Sequence, residues 1–193
     1  MAGKIVLVTG GARSGKSTFA EQVAARGGRR VAYIATAQIY DEEMKERVSI
    51  HQSRRPANWL TFEAPYDADE AMAKAVQRAD TVLFDCLTLY TSNLLLAPKA
   101  PSDREERRQA VLGSIEKLLA SAKQGNRDVI FVSNEVGLGI VPDNALAREY
   151  RDVAGLVNQL VAANADEVYL VVSGLAVEIK KIAVTLEEGE LNG

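Results

Sequence analysis

The chain has 193 residues, 47% hydrophobic and 25% charged, enough for one substantial core and too few for two comfortable domains. The net charge is -3, the pI is near 5.4 and the 23 basic residues are scattered, so no nucleic-acid footprint is visible. One cysteine and one histidine exclude a disulfide framework and a zinc cluster, and no apolar run approaches the ~20 residues of a membrane span. The expectation is a single soluble domain over residues 1–193, without a cleavable leader, working on small molecules in the cytoplasm.

Short apolar runs alternate with longer amphipathic ones, the pattern of a parallel sheet covered by helices on both faces. The first run, "KIVLVT" (4–9), leads into "GGARSGKS" and then into the helical "SGKSTFAEQVAAR". Gly10, Gly11, Ala12, Arg13, Ser14, Gly15, Lys16 and Ser17 match G-x-x-x-x-G-K-[ST] in the strand, loop and helix setting of a phosphate cradle. Gly10 and Gly15 permit close backbone approach, so that successive N–H groups converge on phosphate oxygens at the positive end of a helix. Lys16 supplies a cation for the outer phosphates, and the Ser17 hydroxyl is a ligand for Mg2+. For Arg13 the pattern leaves open whether it faces solvent or a phosphate.

The second strand, "VAYIAT" (31–36), is followed by "YDEEMKERVSIHQSRRPANW". Asp41 starts a helix there and Pro56 lies beyond its end. Helical spacing puts Met44, Arg47, His51 and Arg54 or Arg55 on roughly one face. The helix begins at the sheet's C-terminal edge, where the cradle opens. An imidazole at that edge can attack the α-phosphorus of a nucleoside triphosphate and form a phosphoramidate, with arginines stabilising the charge. On pattern alone, a solvated histidine beside surface arginines is the commoner case.

The run "TVLFDCL" (81–87) carries Asp85, placed to hold Mg2+ or its water opposite the cradle; a capping carboxylate is the alternative. The stretch "TLYTSNLLLAPKAPSD" (88–103) leaves a helix-to-loop transition, a substrate lid and a subunit contact all open. "DREERRQAVLGSIEKLLASAK" puts Val111, Leu112, Ile115, Leu118 and Leu119 on one helical face. The strand "DVIFVSN" (128–134) then brings Asn134 and Glu135 to the active edge, where Gly137 and Gly139 permit a tight path. Both are candidates for an acceptor site, with Glu135 capping the next element as the alternative. "NALAREYRDVAGLVNQLVAANA" aligns Leu146, Tyr150, Val153, Leu156, Val157 and Leu160 behind a Pro142–Asp143 start. "EVYLVVS" (167–173) is a strand, and a further short strand is expected in "VEIKKIAVTL".

No N-K-x-D tetrapeptide and no D-x-x-G after the third strand occur, which argues against a Ras-like switch. A RecA-like ATPase, a small-molecule kinase and another phosphoryl or nucleotidyl transferase remain. The expected fold class is α/β: a single P-loop NTPase domain with a mainly parallel, RecA-like sheet and helices on both faces.

Together "LVTGGARSGKS", "YIATAQIYDEEMKERVSIHQSRRPANW", "TVLFDCLTLYTSNLL" and "VSNEVGLGIVP" with the helix after it resemble the bifunctional adenosylcobinamide kinase/adenosylcobinamide-phosphate guanylyltransferases of cobalamin biosynthesis. The likeness covers nearly the whole chain; its most specific parts are the histidine helix with "RRP" and the "NEVGxGIVP" segment. The resemblance implies phosphorylation of adenosylcobinamide by a nucleoside triphosphate. It further implies transfer of GMP from GTP to adenosylcobinamide phosphate through a guanylylated histidine, His51, giving adenosylcobinamide-GDP and pyrophosphate. It places nucleotide contacts on Gly10 through Ser17, on Ala35, Thr36 and Ala37, on Gln52, Ser53, Arg54 and Arg55, and on Glu63 and Asp85. Lys16 and His51 become catalytic, Ser17 and Asp85 metal ligands, Mg2+ the cofactor, and GTP and ATP the substrates. Val136, Leu138, Ile140 and Val141 either face the corrinoid or pack under their loop. A small cyclic homo-oligomer, a trimer, is implied as well. Some members carry Glu where Asp85 stands, and some a second histidine at the position of Ile50. The alternative is a plain P-loop small-molecule kinase without nucleotidyl transfer; a nucleotide-dependent interaction module is the reading outside enzymes.

Overall fold

A computed structural model describes residues 3–28, 30–38, 42 and 56–184. His51, Gln52, Ser53, Arg54 and Arg55, with most of the helix expected around them, lie outside the described residues.

The elements in chain order are β1 (Ile5–Gly10), α1 (Lys16–Gly27), β2 (Val31–Ala35), β3 (Leu60–Glu63), α2 (Ala68–Arg78), β4 (Thr81–Asp85) and α3 (Leu87–Leu95). They continue with α4 (Arg104–Gln124), β5 (Asp128–Asn134), α5 (Ala145–Asn164), β6 (Glu167–Val172), β7 (Leu175–Glu178) and a 3-10 turn (Ile179–Lys181). The strands form one sheet in the order β3-β2-β4-β5-β1-β6-β7. All neighbours pair in parallel except β6 and β7, which make an antiparallel hairpin.

The central strands are apolar on both faces because both faces are covered. Val6, Val8, Tyr33, Leu83, Ile130 and Val132 pack with Ala20 and Ala24 of α1 on one side. Leu7, Ile34, Val82, Phe84 and Phe131 pack on the other, with residues of α2, α3, α4 and α5. The expected parallel α/β sheet with helices on both faces is present.

Two details depart from expectation, β3 and Leu146, and one open stretch is decided in favour of a helix-to-loop transition. The short edge strand β3 is mostly exposed and lacks the apolar run by which its neighbours are recognised. Residues 88–95 continue as helix α3, with Leu87, Thr88, Tyr90, Thr91, Asn93 and Leu95 buried, so this stretch belongs to the core. Leu146, expected on the core face of α5, sits in its first turn and is 49% exposed. Among the described residues no helix is long and apolar enough to cross a membrane.

Candidate active site

The site is built on the C-terminal edge of the sheet, where β1, β5, β4 and β2 end side by side. The register pairs Gly10 with Asn134 across β1 and β5. It also pairs Ala35 with Asp85 across β2 and β4, and Ala35 with Glu63 across β2 and β3. Strand order therefore gathers residues far apart in the chain along one edge, the usual ligand crevice of open α/β sheets.

Gly10 to Ser17 turn from β1 into α1. Gly10 has φ +156° and Gly15 φ +94°, conformations that favour glycine. A Cβ on Gly10 would lie 2.3 Å from the Val171 carbonyl oxygen, and one on Gly15 would lie 3.2 Å from Gly174 Cα, whereas one on Gly11 would meet nothing within 4 Å among the described residues. The cradle is braced from the β6–β7 turn, where the Gly174 N–H donates to the Ser14 carbonyl at 2.8 Å. The Asp103 and Asn144 side chains cap α4 and α5. At α1 the N-cap is Gly15, which has no side chain to cap the first turn, the arrangement that suits helix N-termini to anions. Ser14 Oγ is buried there without a hydrogen-bond partner among the described residues, while Arg13 is exposed.

Lys16 Nζ donates to the Gly11 carbonyl at 3.1 Å and to Asn134 Oδ1 at 2.8 Å. Burial lowers its pKa, opposed by the electrostatic influence of the nearby Cys86 and Asp85 side chains. Asp85 Oδ2 accepts from the Tyr33 hydroxyl at 2.9 Å. The next residue, Cys86, is only half-buried as a whole, but enclosure of its sulfur pushes the thiol up to about 11, so it stays protonated near neutrality. Ser17 is half-buried in the first turn of α1.

Thr36, fully buried, follows β2 and ties it to β4. Its N–H donates to the Asp85 carbonyl at 3.2 Å, and its hydroxyl accepts from Cys86 N–H at 2.8 Å and donates to the Cys86 carbonyl at 2.9 Å. Ala35 and Ala37 flank it, half-buried. Glu63 is exposed at the end of β3 and lines an open groove of about 260 Å³ with Tyr66, Asp67 and Lys74.

Glu135 N–H donates to the Gly10 carbonyl at 2.9 Å, and its carboxylate is turned back onto its own loop, Oε1 accepting from Gly137 N–H at 2.6 Å. Beyond it Leu138 and Ile140 are 89% and 96% exposed, so they do not pack under the loop. The structure thus brings the cradle, Asp85, Asn134 and Glu135 to one edge, with Thr36 and Glu63 farther along it. Tyr33 and Asn93 escaped sequence reasoning. A tyrosine inside a strand buried on both faces is a signal in itself, since its hydroxyl needs a partner.

The description "cobinamide kinase / cobinamide phosphate guanyltransferase" belongs to the family model that matches residues 6–179. The chain belongs to this family. The bifunctional adenosylcobalamin biosynthesis protein CobU of Salmonella typhimurium is 45% identical over 181 residues, covering 91% of this chain and 99% of the relative. The CobU protein of Escherichia coli is 44% identical over the same shares. The CobP protein of Pseudomonas aeruginosa is 41% identical over 90% of this chain and 96% of the relative. Among solved structures, an ATPase of the type III secretion system of pathogenic bacteria matches with a TM-score of 0.59 at 15% identity, over 97% of this chain and 60% of that one. That likeness concerns the fold alone and agrees with a RecA-like P-loop sheet. Membership in the cobinamide kinase/guanyltransferase family makes the chain a transferase that uses nucleoside triphosphates.

Proposed function

We propose that this chain, acting as one domain in the cytoplasm, phosphorylates adenosylcobinamide and then converts the product to adenosylcobinamide-GDP through a guanylylated His51. Membership in the cobinamide kinase/guanyltransferase family supports the substrate, and the observation that carries the nucleotide chemistry is the Lys16 ammonium, poised on the neutral oxygens of Gly11 and Asn134 beside a helix N-terminus whose cap residue, Gly15, has no side chain. Neutral acceptors hold the cation without cancelling its charge, so a triphosphate can claim it.

In the kinase step the acceptor hydroxyl oxygen attacks the γ-phosphorus of ATP or GTP. The bond from that phosphorus to the bridging oxygen breaks, the nucleoside diphosphate leaves, and the hydroxyl proton passes to solvent water. The cradle N–H groups from Gly10 to Ser17, with Lys16, stabilise charge on the transferring phosphoryl group. In the second reaction an imidazole nitrogen of His51 attacks the α-phosphorus of GTP and pyrophosphate leaves. An oxygen of adenosylcobinamide phosphate then displaces the imidazole, the P–N bond breaks, and a phosphoanhydride forms.

The oxygen donors of Ser17 and Asp85 suit Mg2+. No group of three His, Cys, Asp or Glu side chains gathers among the described residues, so nucleotide phosphates and water would complete its shell, as is usual for this ion. When bound, Mg2+ neutralises phosphate charge. Ala35, Thr36, Ala37, Gln52, Ser53, Arg54, Arg55 and Glu63 contact the rest of the nucleotide. Asn134, Glu135 and the exposed Leu138 and Ile140 border the corrinoid acceptor. Self-association into a trimer is consistent with the exposed Val172, Leu175, Val177 and Ile182 of the β6–β7 region.

The test is to incubate the protein and a His51→Ala variant with Mg2+ and GTP radiolabelled at the α- or the γ-phosphate. The expected result is acid-labile, alkali-stable protein label from the α position only, absent in the variant. A folded, GTP-binding protein that takes up no α label would reduce the reading to a simple P-loop kinase.

A further inference from the structure

Helix α3 lies outside the P-loop machinery, yet it buries a carboxamide. Asn93 is 5% exposed, and its Nδ2 donates to the Thr36 carbonyl at 2.7 Å and the Pro65 carbonyl at 3.0 Å. Carbonyl oxygens only accept, so the nitrogen must face them, and both of its N–H groups are spent on main chain from two different strand ends. An aspartate would set a carboxylate against two carbonyls, a serine offers one donor, and a leucine offers none.

The two acceptors are themselves tied in. Thr36 is bonded to Asp85 and Cys86 after β4. Pro65 follows Ala64, whose N–H donates to the Ala35 carbonyl at 2.8 Å. One buried side chain thus stitches the ends of β2, β3 and β4. In the sheet order β2 stands three strands from β1 and β3 four, roughly 14 and 19 Å at ~4.8 Å per strand. If the cradle after β1 takes the phosphates, segments at that distance take the nucleoside end.

We propose that Asn93 is a positioning residue for nucleoside recognition: it sets the spacing between the turn at Ala35–Ala37 and the turn at Glu63–Pro65 and leaves the phosphate cradle unaffected. This rests on the reading that those two turns contact the nucleotide.

The experiment measures calorimetric affinities for GTP and for inorganic tripolyphosphate, both with Mg2+, on the full chain and on Asn93→Asp and Asn93→Ser, each checked for a folded melting transition. Asn93→Ser keeps one donor and serves if Asn93→Asp does not fold. The expected result is a GTP affinity lowered about tenfold or more, with tripolyphosphate affinity held within about twofold, so that the preference for the nucleoside collapses. A general structural role would lower both affinities together, and that outcome overturns the proposal. So does a GTP preference retained in both variants while the wild type shows it. A wild type that binds GTP no better than tripolyphosphate removes the nucleoside contacts themselves, and with them the reading on which the proposal rests.

Discussion

Lys16 Nζ and Asn134 Oδ1 are 2.8 Å apart, a hydrogen bond between residues 118 positions distant in the chain, made because β5 lies directly against β1. A neutral amide oxygen orients the ammonium without pairing off its charge. Asn134→Asp introduces a carboxylate that competes with phosphate for Lys16. Steady-state kinetics should show KM for the nucleoside triphosphate raised about tenfold or more, and Asn134→Ala should leave it within about threefold. Equal KM values in the wild type and Asn134→Asp would contradict this role.

The Tyr33 hydroxyl orients Asp85 from within the sheet, and Tyr33 is only 2% exposed. Under the proposed role of Asp85 as a Mg2+ ligand, Tyr33 stands behind that carboxylate, and such partners commonly alter metal affinity by about tenfold or more. Tyr33→Phe should therefore raise the Mg2+ concentration for half-maximal turnover by about tenfold, while urea unfolding without nucleotide shows a loss of about 1 kcal/mol. An unchanged Mg2+ titration would leave Asp85 independent of Tyr33.

Two adjacent glycines of the cradle should respond differently to alanine. On Gly10 the new Cβ meets the Val171 carbonyl at 2.3 Å from a positive φ; on Gly11 it meets no atom of the described residues within 4 Å. Gly10→Ala should cost about 1–3 kcal/mol of stability and abolish detectable nucleotide binding. Gly11→Ala should stay within about 0.5 kcal/mol of wild type. Thermal melts with and without GTP decide the point.

Burial pushes the hydroxyls of Tyr90 and Tyr150 from 10.0 up to about 12. Between those values the folded chain holds protons that the unfolded chain has released, so their contribution to stability is complete below pH 10 and is lost as pH rises toward 12. Urea midpoints of the wild type should fall across that window, and the fall should be shallower in Tyr90→Phe with Tyr150→Phe. Parallel curves for the two proteins would refute the assignment.

Strands β1, β2, β4 and β5 were legible because burial on both faces leaves continuous apolar runs, β6 because its run "VYLVV" is apolar although only partly buried, and the cradle because its chemistry is local. β3 was not, since an exposed edge strand needs no apolar run. The helix at α3 was ambiguous because its apolar residues extend around it, so no single face marks it.

From the sequence alone came the parallel α/β class, the phosphate loop with Lys16 and Ser17, the carboxylate Asp85, and the family resemblance that points to His51. Periodicity and motif spacing encode these because each depends on residues near one another in the chain. Only the tertiary structure decided that Asn134 holds Lys16, that Tyr33 holds Asp85, and that Asn93 ties the turns after β2 and β3 together. Those pairings follow from the lateral order β3-β2-β4-β5-β1, which is set by non-local packing of sheet against helices and leaves no local trace in the chain.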